Sequence, residues 1–333
     1  MNFGFIKTCL DLINRDSPIK FQLKQTDNES CEMFSDKENC VIIIGKCTEP
    51  LFYIYSYASK LLFREYFCQS IYAQHSMYDD ALSLLKQADK GYTFFNRVCM
   101  KAQNLIKRKH LNNMTILAIF HEIGHIVFYN SESAMKSYFS GVKSILDSFN
   151  ISKLLNLDDL LKKQIVKGYQ MACKNEMNTT EEIACDFYAI DLIFKIKHIC
   201  NFSSKEILEF CLLQIDLLTC TYQMELMNRT VHNDYDGIFN DLLAKYSIRR
   251  MVLFCRMSEV LSAEYNIDKE YFSKLCLKIA PRAKDLYEAR LLCEDMAIKI
   301  RSRDWKVKNE NKTQYVAYLY KFNRIFTSNY FKF

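Results

Sequence analysis

His121-Glu122-Ile123-Gly124-His125 places two imidazoles four residues apart, with a carboxylate beside the first. On an α-helix, residues four apart share a face one turn up, so both rings can address a single metal ion. Glu122, one position along, leans over the same ion and is placed to take a proton from a water molecule there. These are the parts of a zinc hydrolase: nitrogen ligands, a coordination position left open for water, and a carboxylate base. The run lies in Ile116–Phe128, an almost unbroken apolar stretch, which predicts a buried helix. Two core histidines satisfied by backbone groups would be the plain alternative. Burying two His and a Glu there costs on the order of several kcal/mol unless something pairs with them, and that favours a metal site.

Such a site needs a third protein ligand. Downstream comes Asn178-Thr-Thr-Glu-Glu-Ile-Ala-Cys-Asp-Phe-Tyr-Ala-Ile-Asp191. Asn178 or Thr179 followed by Glu181 or Glu182 predicts a capping-box helix start. Glu182 and Asp186 lie four apart on one face. Glu181 is the rival third ligand, but no carboxylate follows it at that spacing. A solvated acidic helix start, facing the positive end of the helix dipole, is the plain alternative. The E-x-x-x-D spacing resembles the second metal helix of the gluzincins. That resemblance implies that Glu182 binds zinc and that Asp186 fixes a ligand histidine by an outer hydrogen bond. Ala184 and Ala189 are small where the two helices must approach. Cys185 reads as a small apolar substitute rather than a ligand.

The elements that must position these groups follow from composition. Half of the 333 residues are hydrophobic, while Gly (7) and Pro (3) are scarce, so long uninterrupted helices are expected. The 14 cysteines form no C-x-x-C pair and lie scattered through apolar runs, as buried free thiols do. The N-terminus lacks the basic start and long apolar core of a secretory leader, and no run approaches a membrane span, so a cytoplasmic protein is expected. A net charge of +6 with interspersed signs argues against a nucleic-acid partner. Residues 1–24 predict an amphipathic start broken at Pro18, and Gln25–Asn39 an exposed polar loop. Cys40–Cys47 predicts a buried strand, and Leu51–Tyr57 a strand or helix start. Helices are expected over Tyr78–Ile106 (interrupted at Gly91), Ser131–Phe149, Ile151–Cys173, Ser203–Asn228, Phe239–Tyr265 and Leu286–Ile300. Lys107–Asn113, with His110, reads as a basic connector, Asn228–Gly237 as a loop, and Arg301–Gln314 as a polar stretch before an aromatic tail. The fold class expected is mainly α (α+β): a zincin-like core with a small β-sheet and a helical C-terminal part. The core is expected over residues 1–260, with a helical extension over 261–333.

Strand, aromatic helix, HEIGH helix, long insert and E-x-x-x-D helix together resemble the Lit-type phage-exclusion peptidases, gluzincin-like enzymes of bacterial and prophage defence. The similarity spans about Cys40 to Cys255, and the two metal motifs are its specific part. It implies a zinc endopeptidase acting on one or few intracellular proteins, a host translation factor among the candidates, in phage exclusion or as a toxin-like effector. An ImmA/IrrE-like regulatory peptidase is the alternative; a helical interaction protein with a structural zinc site is the third reading, against which Glu122 argues. Gluzincins of this sort often carry a later H-P-x-x-x-x-R-like segment whose His supports the oxyanion. Here Tyr246-Ser247 stands where His-Pro is expected, and His232 lies well upstream of Arg249 and Arg250. His232, Tyr246 and Tyr188 are therefore the candidate oxyanion donors.

Overall fold

The computed structural model describes residues 3–26, 33–45, 68–69, 72–73, 77–99, 108–149, 159–197, 200–231, 238–279, 291–294, 298 and 311–330. Three strands and ten helices are named among them. They are α1 (Phe3–Asp16), β1 (Gln22–Gln25), β2 (Met33–Asp36), β3 (Val41–Ile44), α2 (Tyr78–Cys99), α3 (Arg108–Asn130), α4 (Glu132–Ser148) and α5 (Asp159–Cys173). A 3-10 turn over Glu176–Asn178 leads into α6 (Thr179–Ile196), followed by α7 (Ser204–Val231), α8 (Ile238–Tyr265), α9 (Lys269–Ile279) and α10 (Lys312–Tyr330). Among the described residues the protein is mainly helical, as its composition predicts, with one small sheet. No helix among the described residues is long and apolar enough to cross a membrane.

The chain divides into two compact units, one of residues 1–52, 108–222 and 240–286, the other of residues 53–107, 223–239 and 287–333. The first unit holds both candidate metal motifs. Helix α3 is apolar nearly all round, with Met114, Ile116, Leu117, Ile119, Phe120, Ile123 and Ile126 buried, and such a helix belongs inside a core. Helix α6 is built alike, burying Ile183, Ala184, Cys185, Phe187, Ala189 and Ile190. The two pack along each other and approach closely at Gly124. A Cβ there would stand 3.1 Å from the Cα of Cys185 and 3.2 Å from its Sγ, so the glycine allows this approach. Helix α8 is brought against α5 in the same manner, since a Cβ at Gly168 would collide with the carbonyl oxygen of Ala244. In the second unit, α2 and α10 pack through the rings of Tyr78 and Tyr315, 5.5 Å apart, and Gln69 hydrogen-bonds the Tyr315 hydroxyl.

The sheet has the order β1-β3-β2. Strand β3 pairs in parallel with β1 (Gln22 opposite Val41) and antiparallel with β2 (Met33 opposite Ile44). Ile42 and Ile44 are fully buried on one face of β3.

Several expectations need correction. The span Gln25–Asn39 contains the end of β1 and all of β2, because β3 supplies the ladder that Met33–Asp36 could not suggest on its own. Helix α2 runs through Gly91 without a break, since one interior glycine costs a helix only about 1 kcal/mol. His110 lies inside α3, which begins at Arg108. Helix α7 runs on to Val231, so the first four residues of the expected loop Asn228–Gly237 are helical. Leu51–Tyr57, residues 100–107, residues 151–158, residues 301–310 and most of Leu286–Ile300 lie outside the described residues, as do residues 232–237 with His232 among them.

Candidate metal centre

Two triads face each other. Helix α3 presents His121, Gly124 and His125 at positions i, i+3 and i+4, and α6 presents Glu182, Cys185 and Asp186 at the same spacing. The contact of Gly124 with Cys185 sets the register between them. The His side chains are mostly buried, each 13% exposed, and their rings lie 5.0 Å apart and nearly perpendicular.

Each imidazole is held from behind. The Nδ1 of His121 donates to Oδ1 of Asp186 at 2.9 Å, and the Nδ1 of His125 donates to Oε1 of Glu181 at 2.8 Å. An ionised carboxylate only accepts, so both Nδ1 atoms carry hydrogen, and in the neutral rings the lone pairs sit on Nε2. The Nε2 of His121 lies 3.5 Å from Oε2 of Glu182. One donor each from His121, His125 and Cys185 lies within 4.8 Å of the other two, so this group could hold a metal ion.

The carboxylates are tied down in turn by α8. Arg249 donates through Nε and Nη2 to both oxygens of Asp186, at 2.9 and 3.0 Å, and its Nη1 lies 2.9 Å from Oε2 of Glu182. Lys245, one turn earlier, stands 3.5 Å from Oε1 of Glu182. Gln214 of α7 also donates to Asp186, at 3.4 Å. Asp186 is 1% exposed and Arg249 3%. A buried charge pair survives only when charge and hydrogen-bonding capacity are both matched, as they are here.

The titration behaviour follows. Burial opposes the charged form of His121, but the hydrogen bonds and charges of Asp186 and Glu182 together outweigh it and push its pKa up to about 9. The hydrogen bond from His125, reinforced by Lys37 against the effect of burial, pulls Glu181 down to about 2. Burial raises Glu182 and Asp186, yet Arg249 heads the groups that leave both below the usual carboxylate range. Glu122 moves the other way. Burial raises its pKa, opposed by the charges of His121 and His125 and by a hydrogen bond with Ser35.

Ser35 lies on β2, so the sheet reaches the centre. The turn after β2 is closed by Asp36, whose Oδ1 accepts from the backbone N–H of Asn39 at 3.1 Å. It directs Lys37 onto Oε1 of Glu181 at 3.2 Å, and Asn130 at the end of α3 donates to the Lys37 carbonyl. The start of α6 is unusual. Asn175, Met177 and Asn178 all have positive φ, near 50°, a conformation that Asn tolerates and Met does not favour. The expected capping box does not form: Asn178 makes no side-chain cap, and the N–H of Thr180 is satisfied by Asn175 Oδ1 at 3.0 Å. Glu181 and Glu182 are engaged by the histidines and cations instead of reaching back to the helix start.

The structure thus brings His121, His125, Glu182 and Asp186 into one network and gives Glu181, the rival third ligand, to His125. Tyr246 is buried, its ring 4.8 Å beneath the Arg249 guanidinium and 5.4 Å from Tyr222. Tyr188 joins a cluster with Phe128 and Tyr138. Sequence reasoning missed Lys245 and Arg249 as partners of the acidic face. The available signal was two cations four apart in a helix whose neighbours Leu242, Ala244, Ile248 and Val252 are apolar, which demands buried acids nearby. No protein family, curated protein or solved structure matches this chain.

Proposed function

We propose that this protein is a zinc-dependent endopeptidase that cleaves an extended segment of an intracellular protein, with a role in phage exclusion or as a toxin-like effector, as the resemblance to the Lit-type enzymes implies. The observation that carries the reading is the fixing of two helix-borne imidazoles by carboxylates at Nδ1, which leaves two Nε2 donors beside Glu122. Nitrogen, carboxylate and thiol donors in a mostly buried cluster suit zinc better than magnesium or calcium, which prefer all-oxygen shells. His121 and His125 would hold it, with a third donor from α6, whose face offers Glu182 and Cys185. When bound, zinc supplies a Lewis acid that polarises a substrate carbonyl and acidifies a water.

The chain's own residues do the rest. Glu122 takes the proton of the attacking water and passes it to the leaving amine nitrogen; burial raises its affinity for that proton. Among the described residues β2 pairs with β3 alone, so its outer edge suits strand addition by an extended peptide. Ser35 on that strand ties the peptide-binding edge to the base.

The test is elemental analysis of purified chains together with mass-spectrometric detection of cleavage in a degenerate peptide library. Wild type is expected to carry about one zinc per chain and to cleave. Glu122→Gln should keep the metal and lose cleavage, and His125→Ala should lose both. A folded wild type without metal, or full cleavage by Glu122→Gln, overturns the proposal.

A further inference from the structure

The α6 face offers two candidates for the third donor, and they differ in what already engages them. Both oxygens of Glu182 are engaged: Oε2 by Arg249 at 2.9 Å, and Oε1 by Lys245 at 3.5 Å. Both cations come from a helix locked against α5 by the close contact at Gly168. Placing Glu182 on a metal ion would set a divalent cation beside a buried guanidinium and a buried ammonium, with one carboxylate to serve all three. Cys185 carries no such obligation. Its residue is wholly buried, and its Sγ lies 3.2 Å from the position a Cβ of Gly124 would take. Gly124 lies next to His125 in sequence and one turn on from His121, so the thiol packs against the helix segment that carries both imidazoles. Its sulfur and one donor from each histidine lie within 4.8 Å of one another.

We infer that Cys185 supplies the third metal ligand, as a thiolate, and that Glu182 remains with Arg249 and Lys245 while Asp186 orients His121. The inference rests on the metal reading above and deepens it. Coordination forms a metal–sulfur bond and releases the thiol proton to solvent. A His2Cys set has three protein ligands and leaves a fourth position for water, as a hydrolytic site requires. The set also makes the metal softer than a His2Glu site would. It predicts a preference for zinc, cadmium and cobalt over oxygen-seeking ions.

Cobalt(II) reports the difference directly, because a thiolate ligand gives a near-ultraviolet charge-transfer band that imidazole and carboxylate do not. Apo-protein is titrated with cobalt(II), and uptake is followed by elemental analysis alongside the spectrum. Wild type is expected to bind about one ion per chain with the band. Glu182→Gln should keep the band, whereas Cys185→Ser should lose it while still taking up cobalt more weakly. His125→Ala should lose the band together with the ion, which separates this thiol from the other 13 cysteines. Stoichiometric cobalt without the band in wild type overturns the Cys185 assignment and leaves the metal reading standing. A band that survives Cys185→Ser, or vanishes in Glu182→Gln with cobalt still bound, overturns it equally. No cobalt uptake by folded wild type removes the metal reading itself. Should Cys185→Ser fail to fold, a wild-type spectrum without the band still overturns the assignment, and a band that persists in His125→Ala does so equally.

Discussion

Arg249 grips Asp186 with two parallel hydrogen bonds, Nε to Oδ2 at 2.9 Å and Nη2 to Oδ1 at 3.0 Å, and both residues are buried. The same Oδ1 accepts the Nδ1–H of His121, so the guanidinium fixes the carboxylate that fixes the ring. A planar fork matched to a carboxylate gives this geometry, which a lysine cannot reproduce.

Arg249→Met keeps much of the volume and removes the charge, leaving Asp186 and Glu182 buried with their main partner gone. Breaking a buried pair from one side costs about 3–5 kcal/mol. Urea unfolding of the metal-free protein should show a loss of that order. Adding Asp186→Asn should restore part of it, since the two residues form one unit. A loss below about 1 kcal/mol, in the range of exposed pairs, would contradict the buried bidentate pair.

Glu181 accepts from both His125 and Lys37 and thereby joins the turn after β2 to α3. Glu181→Gln keeps the shape but loses the charge that orients the ring. Removing such an outer partner weakens metal binding about 10–100-fold. Competition with a chromophoric zinc chelator measures this, and unchanged affinity would assign Glu181 to the Lys37 contact alone.

How much of this was legible beforehand depends on how local each signal is. The HEIGH run and the Glu182/Asp186 spacing lie within single helices, where a period of 3.6 residues decides which side chains share a face, and the structure brings both pairs together. The strand at Val41–Ile44 was readable from its unbroken run of β-branched residues, whereas β2 was not, since Met33–Asp36 exists as a strand only against β3. Lys245, Arg249 and Gln214 reach the centre from two later helices, and periodicity along one helix carries no information about its neighbour. The capping pattern at the start of α6 is local, while the carboxylates it needs are drawn away, Glu181 by His125, 56 residues distant in sequence, and Glu182 by Arg249 and Lys245 of α8.

The metal-free protein should have a stability plateau bounded on both sides by this site. His121 is raised from 6.5 to about 9 on folding, so its contribution is full below pH 6.5 and lost as pH rises through about 9. Glu181 is lowered from 4.5 to about 2, so its contribution is full above pH 4.5 and lost as pH falls through about 2. Thermal unfolding in the presence of a chelator should therefore show the highest Tm between about pH 4.5 and 6.5, falling on either side. His121→Gln should flatten the alkaline limb and Glu181→Gln the acid limb. An alkaline limb unchanged in His121→Gln would place its origin elsewhere.

Gly124 separates packing from helix propensity. In α3 an alanine would gain up to about 1 kcal/mol of helix propensity over glycine. Its Cβ would also stand 3.1 Å from the Cα of Cys185, a backbone atom that cannot rotate away, so α3 and α6 would have to part by a few tenths of an ångström. Overpacking of this kind costs about 1–3 kcal/mol, and here it should win. Gly141 in α4 is the control, because a Cβ there meets nothing within 4 Å. Gly124→Ala is expected to lower the urea midpoint and weaken cobalt uptake, while Gly141→Ala raises the midpoint and leaves uptake unchanged. If Gly124→Ala were as stabilising as Gly141→Ala, the two helices would not be in close contact at this point, and the thiol of Cys185 would not be pressed against α3 beside the two histidines.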